Sequence, residues 1–256
     1  MRRASIRIGS ALGIELSLHA TWFLVLALVA WATASGFGDM YPNLTPWARA
    51  AMGLVTGFLF FACLTVHELA HAVTARRFGI RVRGITLFVF GGVAEIEGEV
   101  PTPAREFAVA LIGPAVSLGL GAAFALAAMW AEGVPAVEGV LGTLALVNLG
   151  VALFNLIPGL PLDGGRLLRA VLWRLSGSRT RATTIAAGAG VIVAAALTAF
   201  GIALATWGGE PAGLWYVPMG AFLWLLARSS RRRHSPQHAA GLALGDREGQ
   251  AAQPRP

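Results

Sequence analysis

The feature that most limits what this chain can become is its supply of long apolar runs. A helix needs about 20 mostly apolar residues to cross a bilayer. Stretches of that character occupy 18–35, 49–75, 104–131, 138–157, 183–207 and 212–227, with a shorter helical piece at 164–176. Only 13% of the 256 residues are charged and 56% are hydrophobic, against about 25% charged in a soluble domain. One segment breaks the helical pattern. GITLFVFGGVAEIEGEV, residues 84–100, is β-branched and aromatic, carries Gly91-Gly92 at its centre and ends in alternation, which predicts a short hairpin. The expected fold is therefore an all-α polytopic membrane protein. It has six transmembrane helices, a fourth span broken before 164–176, and a small membrane-associated β-hairpin.

Charge placement orients these spans. The net charge of +7 comes from arginine, since no lysine occurs. Arg2, Arg3 and Arg7 precede the first span; Arg76, Arg77, Arg81 and Arg83 follow the second, and Arg105 opens the third. Arg166, Arg169, Arg174, Arg179 and Arg181 lie between the fourth and fifth, while Arg228 and Arg231–Arg233 follow the sixth. Loops 36–48, 132–137 and 208–211 hold none, and Arg49 alone lies near that side. By the positive-inside rule both termini face the cytoplasm, in a multi-pass protein of the cell membrane. The same scatter argues against nucleic acid as a partner, because a basic footprint should gather on one face. Cys63, the single cysteine, has no internal disulfide partner.

The chain ends read differently. Residues 1–17 alternate like a strand or interfacial segment, and Glu15 and His19 argue against a cleaved signal peptide. Residues 228–256 are polar and rich in Gly, Pro and Ala, and are expected to be a disordered basic cytoplasmic tail. The membrane domain is expected over 18–227, with its site on spans 49–75, 104–131 and 138–176.

Within the second span stands TVHELAHAV, residues 65–73. Residues four apart share one helix face, so His67 and His71 can direct two imidazoles at one ion, with Glu68 beside them. This is the HExxH arrangement of zinc hydrolases, whose glutamate accepts a proton from the attacking water. Ionisable groups at membrane depth are costly and usually functional. A catalytic zinc takes three protein ligands; the candidates for the third are His19, Glu95, Glu97, Glu99, Glu106 and Asp163. Asp163 has the strongest context. It lies in NLIPGLPLDGGR, residues 155–166, where Pro158 and Pro161 remove backbone donors and Gly159, Gly164 and Gly165 loosen the chain. Irregular backbone at that depth is tolerated where it is buried in protein or lines a wet cavity.

These segments resemble the site-2 proteases, a family of intramembrane zinc metalloproteases. The resemblance spans about residues 5–180 and rests on HELAH at 67–71, FGGVAEIEG at 90–98, the Gly113-Pro114 pair and NLIPGLPLDGGR. It implies one zinc ion per chain on His67, His71 and Asp163, with Glu68 as general base and Asn155 holding the scissile carbonyl. It gives supporting roles to His19, Gly113 and Pro114. By layout the nearest subgroup is the compact prokaryotic type, with neither a PDZ nor a CBS domain. The implied partner is a membrane protein with a transmembrane segment, cut inside the bilayer in regulated intramembrane proteolysis. His67 precedes Arg76 by about ten residues, or roughly 15 Å, which puts the cut nearer the cytoplasmic side. A helical substrate must unwind to expose a carbonyl, and the strand ending VAEIE, with Val93 and Ile96, is expected to pair with it.

Two other readings use the same residues. A zinc-binding membrane transporter or scaffold needs the ligands but no general base. A prenyl-protein endopeptidase, which also carries HExxH, would draw its third ligand from a downstream glutamate, here Glu106.

Overall fold

The computed structural model describes residues 5–88, 91–97 and 100–233. The chain divides into two compact units, 1–155 and 156–256.

The first unit opens with strands β1 (Ser5–Ala11) and β2 (Ile14–His19), then helices α1 (Thr21–Met40) and α2 (Pro46–Arg77). Strands β3 (Arg81–Phe88) and β4 (Gly91–Glu97) follow, then helices α3 (Pro103–Trp130) and α4 (Pro135–Asn155). Helices α2 and α3 begin alike, with a threonine cap followed by proline in the first turn. Thr45 accepts from the Ala48 N–H and Thr102 from the Arg105 N–H, so each satisfies a donor that the first helical turn leaves open.

The four strands form one sheet in the order β1-β2-β3-β4. β1 and β2 are antiparallel, β2 and β3 parallel, and β3 and β4 antiparallel. The expected hairpin is present but shifted. It starts at Arg81 rather than 84, and Gly91 and Gly92 do not form the turn: they pair with Phe88 and Leu87 as the first residues of β4. The parallel partnership with β2 joins segments about 70 residues apart in sequence, which no local pattern announces. Ile14, Leu18, Val82, Ile85 and Leu87 from the sheet share a core with Trp22, Leu26, Phe61, Ala72 and Val109 from the helices. Arg76 donates to the Leu12 carbonyl at 2.7 Å, tying the end of α2 to the β1–β2 turn.

The second unit contains helices α5 (Asp163–Ser176) and α6 (Arg179–Thr206), a 3-10 turn (Pro211–Trp215) and helix α7 (Tyr216–Arg233). Gly177, at φ 66°, ends α5 in the left-handed region, and Ser178 caps α6 through the Arg181 N–H. The segment before α5, with a cis Leu160–Pro161 bond, is seated on α6. The Leu160 N–H donates to the Ala186 carbonyl at 3.0 Å, and a Cβ on Gly190 would overlap the Leu160 carbonyl oxygen. The glycines of this segment therefore permit close backbone packing rather than looseness. Gly165 lies against Gly159 and Leu160, and Gly164 against the Leu156 and Ile157 carbonyls.

Among the described residues, α1, α2, α3, α4 and α6 are long and apolar enough to cross a membrane. The sixth expected span, 212–227, is divided between the 3-10 turn and α7. The apolar part of α7, Tyr216–Ala227, is about 18 Å long at 1.5 Å per residue, short of the ~30 Å hydrocarbon core by itself. α7 continues to Arg233, so 228–233, expected to begin a disordered tail, are helical. The rest of that tail, 234–256, lies outside the described residues.

Candidate metal centre

The buried side of α2 runs through Met52, Thr56, Cys63, His67, His71 and Ala75, at spacings of four and, once, seven. One helical stripe therefore carries both the core contacts and the two histidines. His67 is 2% exposed and His71 4%. Their Nε2 atoms are 3.2 Å apart. Two nitrogens on a tetrahedral zinc, each about 2.0–2.1 Å from it, would be separated by about 3.3–3.4 Å, so the pair fits such an ion.

The other ring nitrogens point away from this meeting point. His71 Nδ1 donates to the Val109 carbonyl of α3 at 2.5 Å, and His67 Nδ1 lies 2.9 Å from the Ser117 hydroxyl, also on α3. Between these two anchors sits Gly113. A Cβ there would overlap His71 Nε2 and lie 2.7 Å from His67 Nε2, so only a glycine leaves room for the rings at this crossing. The adjoining Pro114 lies within α3 and is buried.

Glu68 is half-buried on the next position of α2. The start of β4 covers it: a Cβ on Gly92 would overlap Glu68 Cγ and come within 2.8 Å of Cδ. A carboxylate beside two imidazoles, with a sheet edge at its side, has the parts for proton transfer next to an extended chain. Val93 and Ile96 follow on β4; their side chains lie outside the described residues, as does Glu99.

Other expected residues fall as follows. His19 ends β2, and its Nδ1 accepts from the Thr21 N–H at 3.3 Å and meets the Thr21 hydroxyl at 2.9 Å, so it satisfies the start of α1. Asn155 is the last residue of α4 and donates to the Val151 carbonyl at 3.0 Å, leaving its amide oxygen and second N–H for other use. Glu106 is fully buried in the first turn of α3. Asp163 belongs to the second unit. It is the first residue of α5, 8% exposed, with Arg166 at 3.7 Å, and the helix N-terminus favours its negative charge. Sequence reasoning missed Ser117 and the Val109 carbonyl. The signal was available for Ser117, which stands four residues after Gly113 on the same helical face.

A polytopic helical fold with a buried HExxH on a membrane-spanning helix defines a class of membrane metallopeptidase, and sequence relationships agree. The pattern of peptidase family M50 matches residues 55–139 and 133–200. The chain belongs to that family. It is 42% identical over 251 residues to putative zinc metalloprotease Rip3 of Mycobacterium tuberculosis, an alignment covering 95% of this chain and 63% of the relative. It is 41% identical over 189 residues to putative zinc metalloprotease sll0528 of Synechocystis, covering 73% of this chain and 49% of that one. The chain thus spans about half of one of these relatives and just under two thirds of the other. Its fold is similar to the solved site-2 protease of Methanocaldococcus jannaschii, with a TM-score of 0.61 and 28% identity over 89% of this chain and 95% of that one.

Proposed function

We propose that this chain is an intramembrane zinc metalloendopeptidase. It hydrolyses a peptide bond in or near a transmembrane segment of a membrane-protein substrate, as in regulated intramembrane proteolysis. The observation that carries the reading is the buried His67–His71 pair, with Nε2 atoms 3.2 Å apart and Glu68 one position from the first histidine, on a helix long and apolar enough to span the bilayer. The names of the M50 relatives and of the solved protease point to the same chemistry.

In this reading one zinc ion is held by His67, His71 and Asp163. All three side chains are buried, and each offers one ligand atom. Two imidazoles and a carboxylate are a donor set suited to catalytic zinc, which leaves a fourth position open. When bound, zinc would lower the pKa of water to near 7 and polarise the scissile carbonyl. Glu68 then takes the proton from the attacking water and returns it to the leaving amine. Asn155 directs its free amide N–H at the oxygen that becomes negative, a donor role whose loss costs about 10²–10³ in rate elsewhere. β4 receives the unwound substrate: it is the last strand of the sheet, and its Gly92 backbone lies against Glu68.

We also assign both termini to the cytoplasmic side of the cell membrane and read 18–227, which comprises parts of both units, as the protease domain. Trp47, Trp130 and Trp207 are 85%, 91% and 90% exposed, and each adjoins an arginine-free loop, as an aromatic belt at the opposite interface requires. The sixth crossing combines the 3-10 turn with α7. Laid end to end, Pro211–Ala227 reaches roughly 28 Å, close to the hydrocarbon thickness.

The test compares cells carrying the wild-type chain or Glu68→Gln by mass spectrometry of new protein termini. Membrane-protein fragments that vanish in the variant, while the purified variant keeps its zinc, support the protease. Identical fragments in both, with zinc transport intact, would establish a carrier or scaffold instead.

A further inference from the structure

Val109, Gly113 and Ser117 are four residues apart on α3 and share one face. That face meets His71 and His67 in turn: the Val109 carbonyl takes His71 Nδ1, Gly113 leaves space for both rings, and the Ser117 hydroxyl meets His67 Nδ1 at 2.9 Å. The two imidazoles are therefore held by unlike groups. A carbonyl can only accept, so His71 must carry its proton on Nδ1 and present the Nε2 lone pair. Pro114, between the anchors, supplies no N–H to the carbonyl of Ala110, and the helix ladder is interrupted in the turn whose Val109 carbonyl is taken by His71. His67 Nδ1 instead meets a hydroxyl, that of Ser117. A hydroxyl can donate or accept, and Ser117 is 1% exposed, where an unbonded hydroxyl would be costly.

We propose that Ser117 is the positioning residue of His67: its hydroxyl accepts the Nδ1 proton, fixing the ring so that Nε2 faces the ion. The inference rests on the zinc reading above. It also explains why this apolar helix carries a serine one turn beyond the glycine that seats the histidines. Outer partners of ligating histidines fix tautomer and ring orientation, and their loss commonly weakens metal binding about 10–100-fold.

The experiment uses the full chain purified in detergent, with Ser117→Ala and Ser117→Thr beside the wild type. Zinc affinity is measured by chelator competition and thermal stability in parallel. Histidine ¹⁵N spectra report the tautomer of His67, assigned by the signal lost in His67→Ala. Ser117→Ala is expected to bind zinc about 10–100-fold more weakly at nearly unchanged stability, with His67 moving away from the Nδ1–H form. Ser117→Thr, which keeps the hydroxyl, restores both. Equal zinc affinity in wild type and Ser117→Ala overturns the inference while leaving the zinc reading intact. A loss in Ser117→Ala that follows its stability and is not restored by threonine also overturns it. Failure of the wild type to bind zinc overturns the zinc reading and the inference together.

Discussion

Gly113→Ala is the sharpest probe of the centre, because it adds one carbon at the point where α3 crosses the histidine pair. An ideal Cβ at 113 overlaps His71 Nε2 and lies 2.7 Å from His67 Nε2. Ordinary van der Waals contact begins at 3.4 Å, just under the optimal separation of about 3.5–4.0 Å, so the rings or the helix must move by roughly 1 Å. Neither has an easy direction to move. His71 is tied to Val109 and His67 to Ser117, and both anchors lie on the helix that would have to retreat. A misplacement of about 1 Å at a catalytic group can cost about 10²-fold in rate, and a ligand turned from its ion weakens metal binding at least as much as loss of an outer partner, about 10–100-fold. Helix propensity acts the other way, since alanine is favoured over glycine by about 1 kcal/mol in a helix interior. Gly113→Ala should therefore fold with little loss of stability while losing zinc and turnover together. Chelator competition and thermal unfolding in the same detergent measure the two quantities. A Gly113→Ala protein with wild-type zinc affinity would refute the argument that this glycine exists to seat the histidines.

The other predictions separate ligand, base and substrate roles. Asp163→Ala should abolish stoichiometric zinc binding whereas Glu106→Ala should retain it, as read by metal content after dialysis; the reverse pattern would place the third ligand on α3. Gly92→Ala drives a carbon into the position of the Glu68 side chain, so turnover should fall toward the 10²–10⁴-fold range of a lost general base with zinc content unchanged. If Gly92→Ala instead leaves turnover at wild-type level, β4 does not position the base. Val93→Pro and Ile96→Pro should stop cleavage while zinc stays bound, because proline removes a backbone donor from an edge strand; cleavage that continues in both would exclude strand pairing with the substrate.

The candidate residues of the site were legible in sequence because each follows a local rule. HELAH puts two histidines on one helix face through the 3.6-residue period, and the apolar runs mark helices long enough to cross a membrane. The Pro- and Gly-rich stretch before Asp163 likewise announced that α4 must stop, as it does at Asn155. What the sequence alone determined is therefore the kind of protein and the candidates for its ligands. Tertiary structure decided the rest, because it depends on pairings between distant segments. The parallel register of Glu15–Leu18 with Gly84–Leu87 leaves β4 at the edge of a four-stranded sheet rather than in an isolated hairpin. The glycines of 159–165 pack backbone to backbone, a role indistinguishable from flexibility until α6 and Gly190 are seen beside them. Ser117 reads as one more small residue in an apolar helix until His67 is found 2.9 Å away. Hydrophobic period and charge are properties of a segment; register, close approach and the orientation of an imidazole are properties of two segments in contact, and only folding brings those segments together.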